Sequence, residues 1–177
     1  MIAYLKAFGA KHNLETKVDE AGNVLIKKPA TPGKENLQTV VLQSHIDMVC
    51  EKNNDVQHDF LTDPIETEID GEWLKAKGTT LGADNGIGVA TELAILADDS
   101  IEHGPLECLF TVDEETGLTG AFALQEGFMS GDILLNLDSE DEGEIFIGCA
   151  GGIDSVAEFT YKEVKVPAGY FFFKVEV

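Results

Sequence analysis

Four short stretches of the chain concentrate side chains that can hold a charge or move a proton: Ser44-His45-Ile46-Asp47, Gly82-Ala83-Asp84, Asp113-Glu114-Glu115 and Leu137-Asp138-Ser139. They contain one imidazole and at least five carboxylates, and none of them contains a lysine or arginine. Carboxylates crowded into a small, partly dry site raise one another's pKa and cost stability unless protons or cations intervene. Divalent metals are the natural solution. One imidazole with several carboxylates suits zinc, cobalt or manganese better than calcium or magnesium, which prefer oxygen alone. A carboxylate left over beside a metal-activated water can serve as general base.

The positions of these stretches give them a common address. Residues 39–42 and 106–112 read as β-rich runs, and 133–137 as a third. His45 and Asp47 follow the first, Asp113-Glu114-Glu115 the second and Asp138 ends the third, while Asp84 opens a helix over 84–97. Continuous apolar strands separated by helical patterns predict an α/β fold, a three-layer α/β/α sandwich with a mostly parallel mixed sheet. In such sheets ligands gather outside the carboxyl ends of the strands. The helix is expected to bury Ile87, Val89, Ala90, Leu93, Ala94 and Leu96. A short helix is expected over 2–13, a strand at 24–26, a hairpin over 65–76 turning at Asp70-Gly71, and a short helix over 119–125. Glu114 and Glu115 are neighbours, so the strand before them must end if both are to reach one pocket.

Each stretch also has an ordinary explanation. His45 alone suits a structural histidine, with Asp47 able to take its other ring nitrogen. Asp113-Glu114-Glu115 suits the acidic first turn of a helix, and Asp84 an N-cap. The run 138–144 imitates the start of a calcium loop, but its twelfth position is Cys149 instead of glutamate. Four such coincidences at one sheet edge are harder to accept than one site. His12, His58 and His103 are read as non-catalytic, with His58 the first exception to consider. No nucleophile elbow or phosphate loop is present.

Composition narrows the partners. The 177 residues carry 33 acidic and 12 basic side chains, a net charge of −21. Every basic residue is lysine, and from Gly78 to Tyr161 there are 18 acids and no cation. Such a chain offers no surface for a nucleic-acid backbone or an anionic membrane. No apolar run approaches a membrane span, and the first residues lack a signal-peptide pattern, so a cytoplasmic location is expected. Cys50, Cys108 and Cys149 are read as reduced, mostly buried thiols.

The motifs S-H-I-D-M-V (44–49), T-L-G-A-D-N-G-I-G (80–88), D-E-E-T-G (113–117) and L-N-L-D-S-E (135–140) resemble, in order, the metal-site motifs of the co-catalytic di-zinc exopeptidases. That family includes carboxypeptidase G, the carnosinases, tripeptidase T and deacylases of acyl-amino acids. The stretches 45–52 and 148–152 resemble its Xaa-His dipeptidases in particular. The resemblance implies two divalent metals, zinc first and cobalt or manganese next. It implies that His45 and Asp138 bind one metal, Glu115 the other, that Asp84 bridges them, that Asp47 orients His45, and that Glu114 is the general base. A cis peptide at Asp84–Asn85 is implied as well.

By the same resemblance, residues 1–153 are the N-terminal part of a catalytic domain and 154–177 the first strands of an inserted lid domain. Residues 156–161 and 170–177 alternate like antiparallel strands, and the chain stops within that pattern. The expectation is an N-terminal fragment, inactive by itself because a further histidine ligand and the lid lie beyond it. The resemblance implies that the intact parent hydrolyses dipeptides and forms a homodimer. The alternatives are a deacylase of the same family and a non-catalytic metal-binding fragment.

Overall fold

The computed structural model of the protein describes residues 1–139, 141, 143–149, 151–153, 155–162, 165–166, 168–171, 173 and 175. The chain divides into two units, Met1–Glu142 and Gly143–Val177. In the first, a five-stranded sheet runs in the order β1-β2-β6-β3-β7 and a separate hairpin pairs β4 with β5. The elements are α1 (Ile2–Lys11), β1 (Glu15–Val18), β2 (Val24–Lys28), β3 (Val40–His45), β4 (Thr67–Asp70), β5 (Trp73–Ala76), α2 (Ala83–Ala97), β6 (Leu106–Thr111), α3 (Thr119–Ala123) and β7 (Ile133–Asn136).

The sheet is mixed. β1–β2 and β2–β6 are antiparallel, whereas β3 pairs in parallel with both β6 and β7. The three parallel strands therefore end at one edge. Val41↔Glu107 and Val41↔Leu134 fix their register, and Gln43↔Asn136 is the last pair on the β7 side. Continued by two residues, that register sets Asp138 level with His45.

Strand alternation sorts the core into two layers. Val24 and Ile26 of β2, Leu42 of β3, and Cys108 and Phe110 of β6 pack with Leu5 of α1 and Val89 and Leu96 of α2. Leu25, Val41 and Leu109 face the other way, against Leu124, Phe128 and Met129. The result is an α/β fold with a mixed sheet, as the sequence predicts; α1 and α2 share one face, while Leu124, Phe128 and Met129 on the other lie outside the helices.

The buried face of α2 differs from the expected one. Ile87, Ala90 and Ala94 point outward, and Asn85, Gly88, Val89, Glu92 and Leu96 point inward. Their spacing is helical, but two of the inner positions are polar and one is glycine, so a search for apolar residues misses the face. Apolar patterning does not reveal β1 either: Glu15-Thr16-Lys17-Val18 is polar because it is a largely exposed edge strand. It pairs with β2 around the turn 19–23, where Asp19 Oδ1 accepts the N–H of Gly22 and Asn23, each at 2.8 Å.

The cysteines differ from the mostly buried thiols expected. All three thiols are free, but only Cys108 is buried; Cys50 and Cys149 are exposed because neither lies in a regular element of the core. In the second unit, residues 156–161 form no strand despite their alternation, nor do the described residues of 170–177. A strand needs a ladder partner, and none is present among the described residues there. Glu140, Glu142, Ala150, Asp154, Phe172, Lys174, Glu176 and Val177, which fall within stretches the sequence reading used, lie outside the described residues.

Candidate metal centre

Each of the four stretches reaches the site from a different element. β3 delivers His45 at its last residue, and the imidazole is 1% exposed. Its Nδ1 lies 3.0 Å from the backbone carbonyl of Asp47 and 3.4 Å from Asp47 Oδ1. Donation from Nδ1 to that carbonyl leaves the Nε2 lone pair facing the site, the arrangement a metal-binding histidine needs. Nε2 lies 3.1 Å from Asp84 Oδ1 and 3.6 Å from Asp138 Oδ1. Asp47 was expected to orient His45 through its carboxylate; the shorter contact is made by its backbone.

The Asp47 carboxylate is engaged elsewhere. Oδ1 accepts the N–H of Glu114 and Oδ2 that of Glu115, each at 3.1 Å. β6 stops at Thr111, and Asp113 adopts a left-handed φ of 53°. The chain thus leaves the strand before the two glutamates, as their adjacency requires. Asp84 sits in the first turn of α2 with non-helical φ and ψ of −85° and 115°, and the Asp84–Asn85 peptide is cis.

Asp138 follows β7. Asn136 Oδ1 accepts the Asp138 N–H at 3.2 Å, and Asn136 Nδ2 donates to Gln43 Oε1 at 2.6 Å. Gln43 Nε2 in turn donates to Thr111 Oγ1 at 3.1 Å. This side-chain ladder crosses the three parallel strands just below the site. Gln43, Thr111 and Asn136 carry no signal of their own in the sequence; only their common place near the strand ends distinguishes them.

Two sets of potential ligand atoms lie within 4.8 Å of one another: His45, Asp84 and Asp138, and His45, Glu114 and Glu115. Ligands around a tetrahedral zinc stand roughly 3.3 Å apart for metal–ligand bonds near 2.0–2.1 Å. The His45–Asp84 and His45–Asp138 separations are close to that spacing. Nitrogen with carboxylate oxygen is also the donor mixture such a cation takes, so the residues fit one. His12, His58 and His103 join no such set among the described residues.

The electrostatics point the same way. Burial favours neutral His45, but Asp138, Asp84, Asp47 and Glu114 together outweigh it and raise its pKa above the usual value. Burial, a hydrogen bond with Asp84 and the nearby carboxylates push Asp138 up to about 6. Among the described residues no lysine pairs with any of these acids. The cluster is short of positive charge, which a bound cation would supply.

Behind the site, Gly88 N donates to Asn85 Oδ1 at 3.0 Å, holding the turn that carries Asp84. A Cβ on Gly88 would collide with Asn85 Oδ1 and come within 3.0 Å of Ser44 Cβ. On the same inner face of α2, Glu92 is fully buried with neither carboxyl oxygen hydrogen-bonded. Burial pushes its pKa up to about 9, only partly offset by the nearby Ser44 hydroxyl and Cys108 thiol.

Comparison with known proteins places the chain among peptidases. A cytosol non-specific dipeptidase of Escherichia coli is 55% identical over 172 residues, covering 97% of this chain and 36% of that protein. The crystal structure of an aminoacylhistidine dipeptidase from Vibrio alginolyticus superposes with a TM-score of 0.77 at 59% identity, over 80% of this chain and 29% of that one. An aminopeptidase PepT structure from Bacillus cereus gives a TM-score of 0.65 at 26% identity, over 78% and 37% of the two chains. The chain thus spans about a third of the length of these relatives. The model of peptidase family M20/M25/M40 matches residues 41–173, which include all four acidic stretches, and the chain belongs to that family.

Proposed function

We propose that this chain supplies part of the active site of a metal-dependent dipeptidase, whose substrates include Xaa-His dipeptides. The observation that carries the reading is the meeting of His45, Asp84 and Asp138 at ligand distance, with Glu114 held beside them by Asp47. The relatives described as dipeptidases support the substrate class, and one of them is described as acting on aminoacyl-histidine. Residues 1–153 are read as part of a catalytic domain and 154–177 as the start of a lid domain.

In this reading His45 and Asp138 would hold one divalent cation and Glu115 a second, with Asp84 able to serve both. Zinc fits the donor set best, with cobalt or manganese as substitutes. When bound, such cations polarise a peptide carbonyl and make water acidic enough to attack at neutral pH. Glu114 accepts the proton of the attacking water and returns it to the leaving amine. Asp47 fixes the backbone of both glutamates, and through its carbonyl it fixes His45.

The test uses the full-length protein with β-alanyl-histidine, with and without a chelator, beside an N-acyl-amino acid. Dipeptide hydrolysis lost on chelation and restored by zinc is the expected result. Metal-independent turnover or none contradicts the reading, and preference for the N-acyl substrate makes the protein a deacylase.

A further inference from the structure

Asn23 is fully buried, and it lies outside the four stretches that form the candidate site. Its side chain nonetheless closes the neck of the loop that carries Glu114 and Glu115. Asn23 Oδ1 accepts the N–H of Val112 at 3.1 Å, on the incoming side of that loop. Asn23 Nδ2 donates to the carbonyl of Gly120 at 2.8 Å, on the outgoing side. Its second Nδ2 hydrogen goes to Asp19 Oδ2 at 2.7 Å, which fixes which way the carboxamide faces.

The loop between these two points is tightly wound. Gly120 N donates to Val112 O at 3.2 Å, and Gly117 N and Leu118 N both donate to Glu114 O. Asp113, Gly117 and Leu118 all have positive φ, a conformation that residues other than glycine adopt only when their surroundings impose it. A Cβ on Gly120 would strike Val112 O and come within 2.6 Å of Asn23 Oδ1, so only glycine allows this approach. The loop is therefore tied twice, at its neck by Asn23 and at its tip by the Asp47 carboxylate.

We infer that Asn23 is a positioning residue of the candidate site: by bridging Val112 and Gly120 it sets the backbone from which Glu114 and Glu115 reach the cations. A carboxamide is needed because the neck presents a donor on one strand and an acceptor on the other. Aspartate can accept from Val112 but cannot donate to Gly120, and it would face the Asp19 carboxylate. Both ties restrain the same short loop, so loosening the neck frees the backbone between them and weakens the hydrogen bonds at the tip. The inference rests on the dipeptidase reading for its consequence, but its structural content does not depend on it.

The experiment measures amide hydrogen exchange by NMR, with zinc calorimetry, on this chain and its Asn23→Asp variant. Exchange at the Glu114 and Glu115 amides is expected to accelerate tenfold or more, while Ile26 and Cys108 in the β2–β6 ladder stay within twofold. The weaker of two zinc equivalents is expected to weaken tenfold or more, and the tighter one to stay within threefold. Glu114 and Glu115 exchanging at the parent rate, or accelerating only in step with Ile26 and Cys108, overturns the inference. Absence of zinc binding by the parent chain contradicts the dipeptidase reading, and the exchange rates still decide the role of Asn23. Gly120→Ala attacks the same joint from the other side and is expected to give the same exchange pattern. In the unmodified chain the Asn23 Nδ2 protons and the Glu114 and Glu115 amides are expected to exchange with protection factors within tenfold of one another, and a wider gap contradicts the linkage whether or not either variant folds.

Discussion

Asp47 Oδ1 accepts the backbone N–H of Glu114 at 3.1 Å, across 67 positions of sequence. The same side chain accepts the next N–H from Glu115, so one carboxylate grips two successive peptide groups. Bonds from N–H groups to an ionised acceptor are among the stronger ones in proteins. Asp47 is therefore the strut between the end of β3 and the loop after β6, in addition to its backbone contact with His45.

Asp47→Asn should keep the fold and spoil that strut. The amide has one acceptor oxygen, and its NH2 would point at the second N–H. Zinc affinity is expected to fall 10–100-fold, the range seen when a residue supporting metal ligands is lost. Competition calorimetry against a chelator measures it, with circular dichroism as the control for folding. An unchanged affinity would show that the two glutamates hold their place without Asp47.

Gly88→Ala should act on Asp84 from behind. The added methyl collides with Asn85 Oδ1, whose bond to Gly88 N stabilises the turn. Zinc binding is expected to weaken at least tenfold, while Gly86→Ala, with open space around its Cβ, should change it little. Equal effects from both variants would mean that helix propensity, and not this contact, governs the site.

Glu92 gives a pH signature. Its folded pKa of about 9 lies well above that of an unfolded glutamate. Below about pH 4.5 both states are protonated and the group costs nothing through ionisation. As pH rises toward 9 the unfolded chain releases the proton and the folded one keeps it, so stability falls by up to about 1.4 kcal/mol per pH unit. Glu92→Gln should remove this slope and raise the melting temperature at pH 8. Urea melts of both proteins between pH 5 and 9 measure it; parallel curves would show that Glu92 is ionised in the folded state.

The parallel strands and the place of the site were legible because they depend on patterns that sequence displays. The apolar runs at 40–42, 108–110 and 133–135 are continuous, and each is followed within a few residues by the acids or histidine of the site. Other parts depend on partners far away in the chain. β1 is polar because it is a sheet edge, and Asn23 resembles any turn asparagine until Val112 and Gly120 are seen on either side of it. Glu92 breaks the apolar pattern of α2 because the interior accepts it as a buried acid. The exposure of Ile87 follows from the same shift of the inner face.

Glu114→Gln separates binding from chemistry. The amide cannot accept the proton of an attacking water, while the backbone N–H that Asp47 holds is untouched. In the full-length protein dipeptide hydrolysis is expected to fall 10²–10⁴-fold, the usual worth of a general base. Zinc stoichiometry should stay the same. Substantial residual hydrolysis would move the proton transfer to another group.

The central claim is that His45, Asp84 and Asp138 form one cation site. Calorimetric titration of this chain with zinc, repeated on His45→Ala, Asp84→Asn and Asp138→Asn at pH 7.5, tests it most directly. One tight equivalent in the parent chain, distinct from the weaker second one, lost or weakened at least 100-fold in each variant, is the expected result. Zinc bound equally well by all four proteins, or by none, would contradict it.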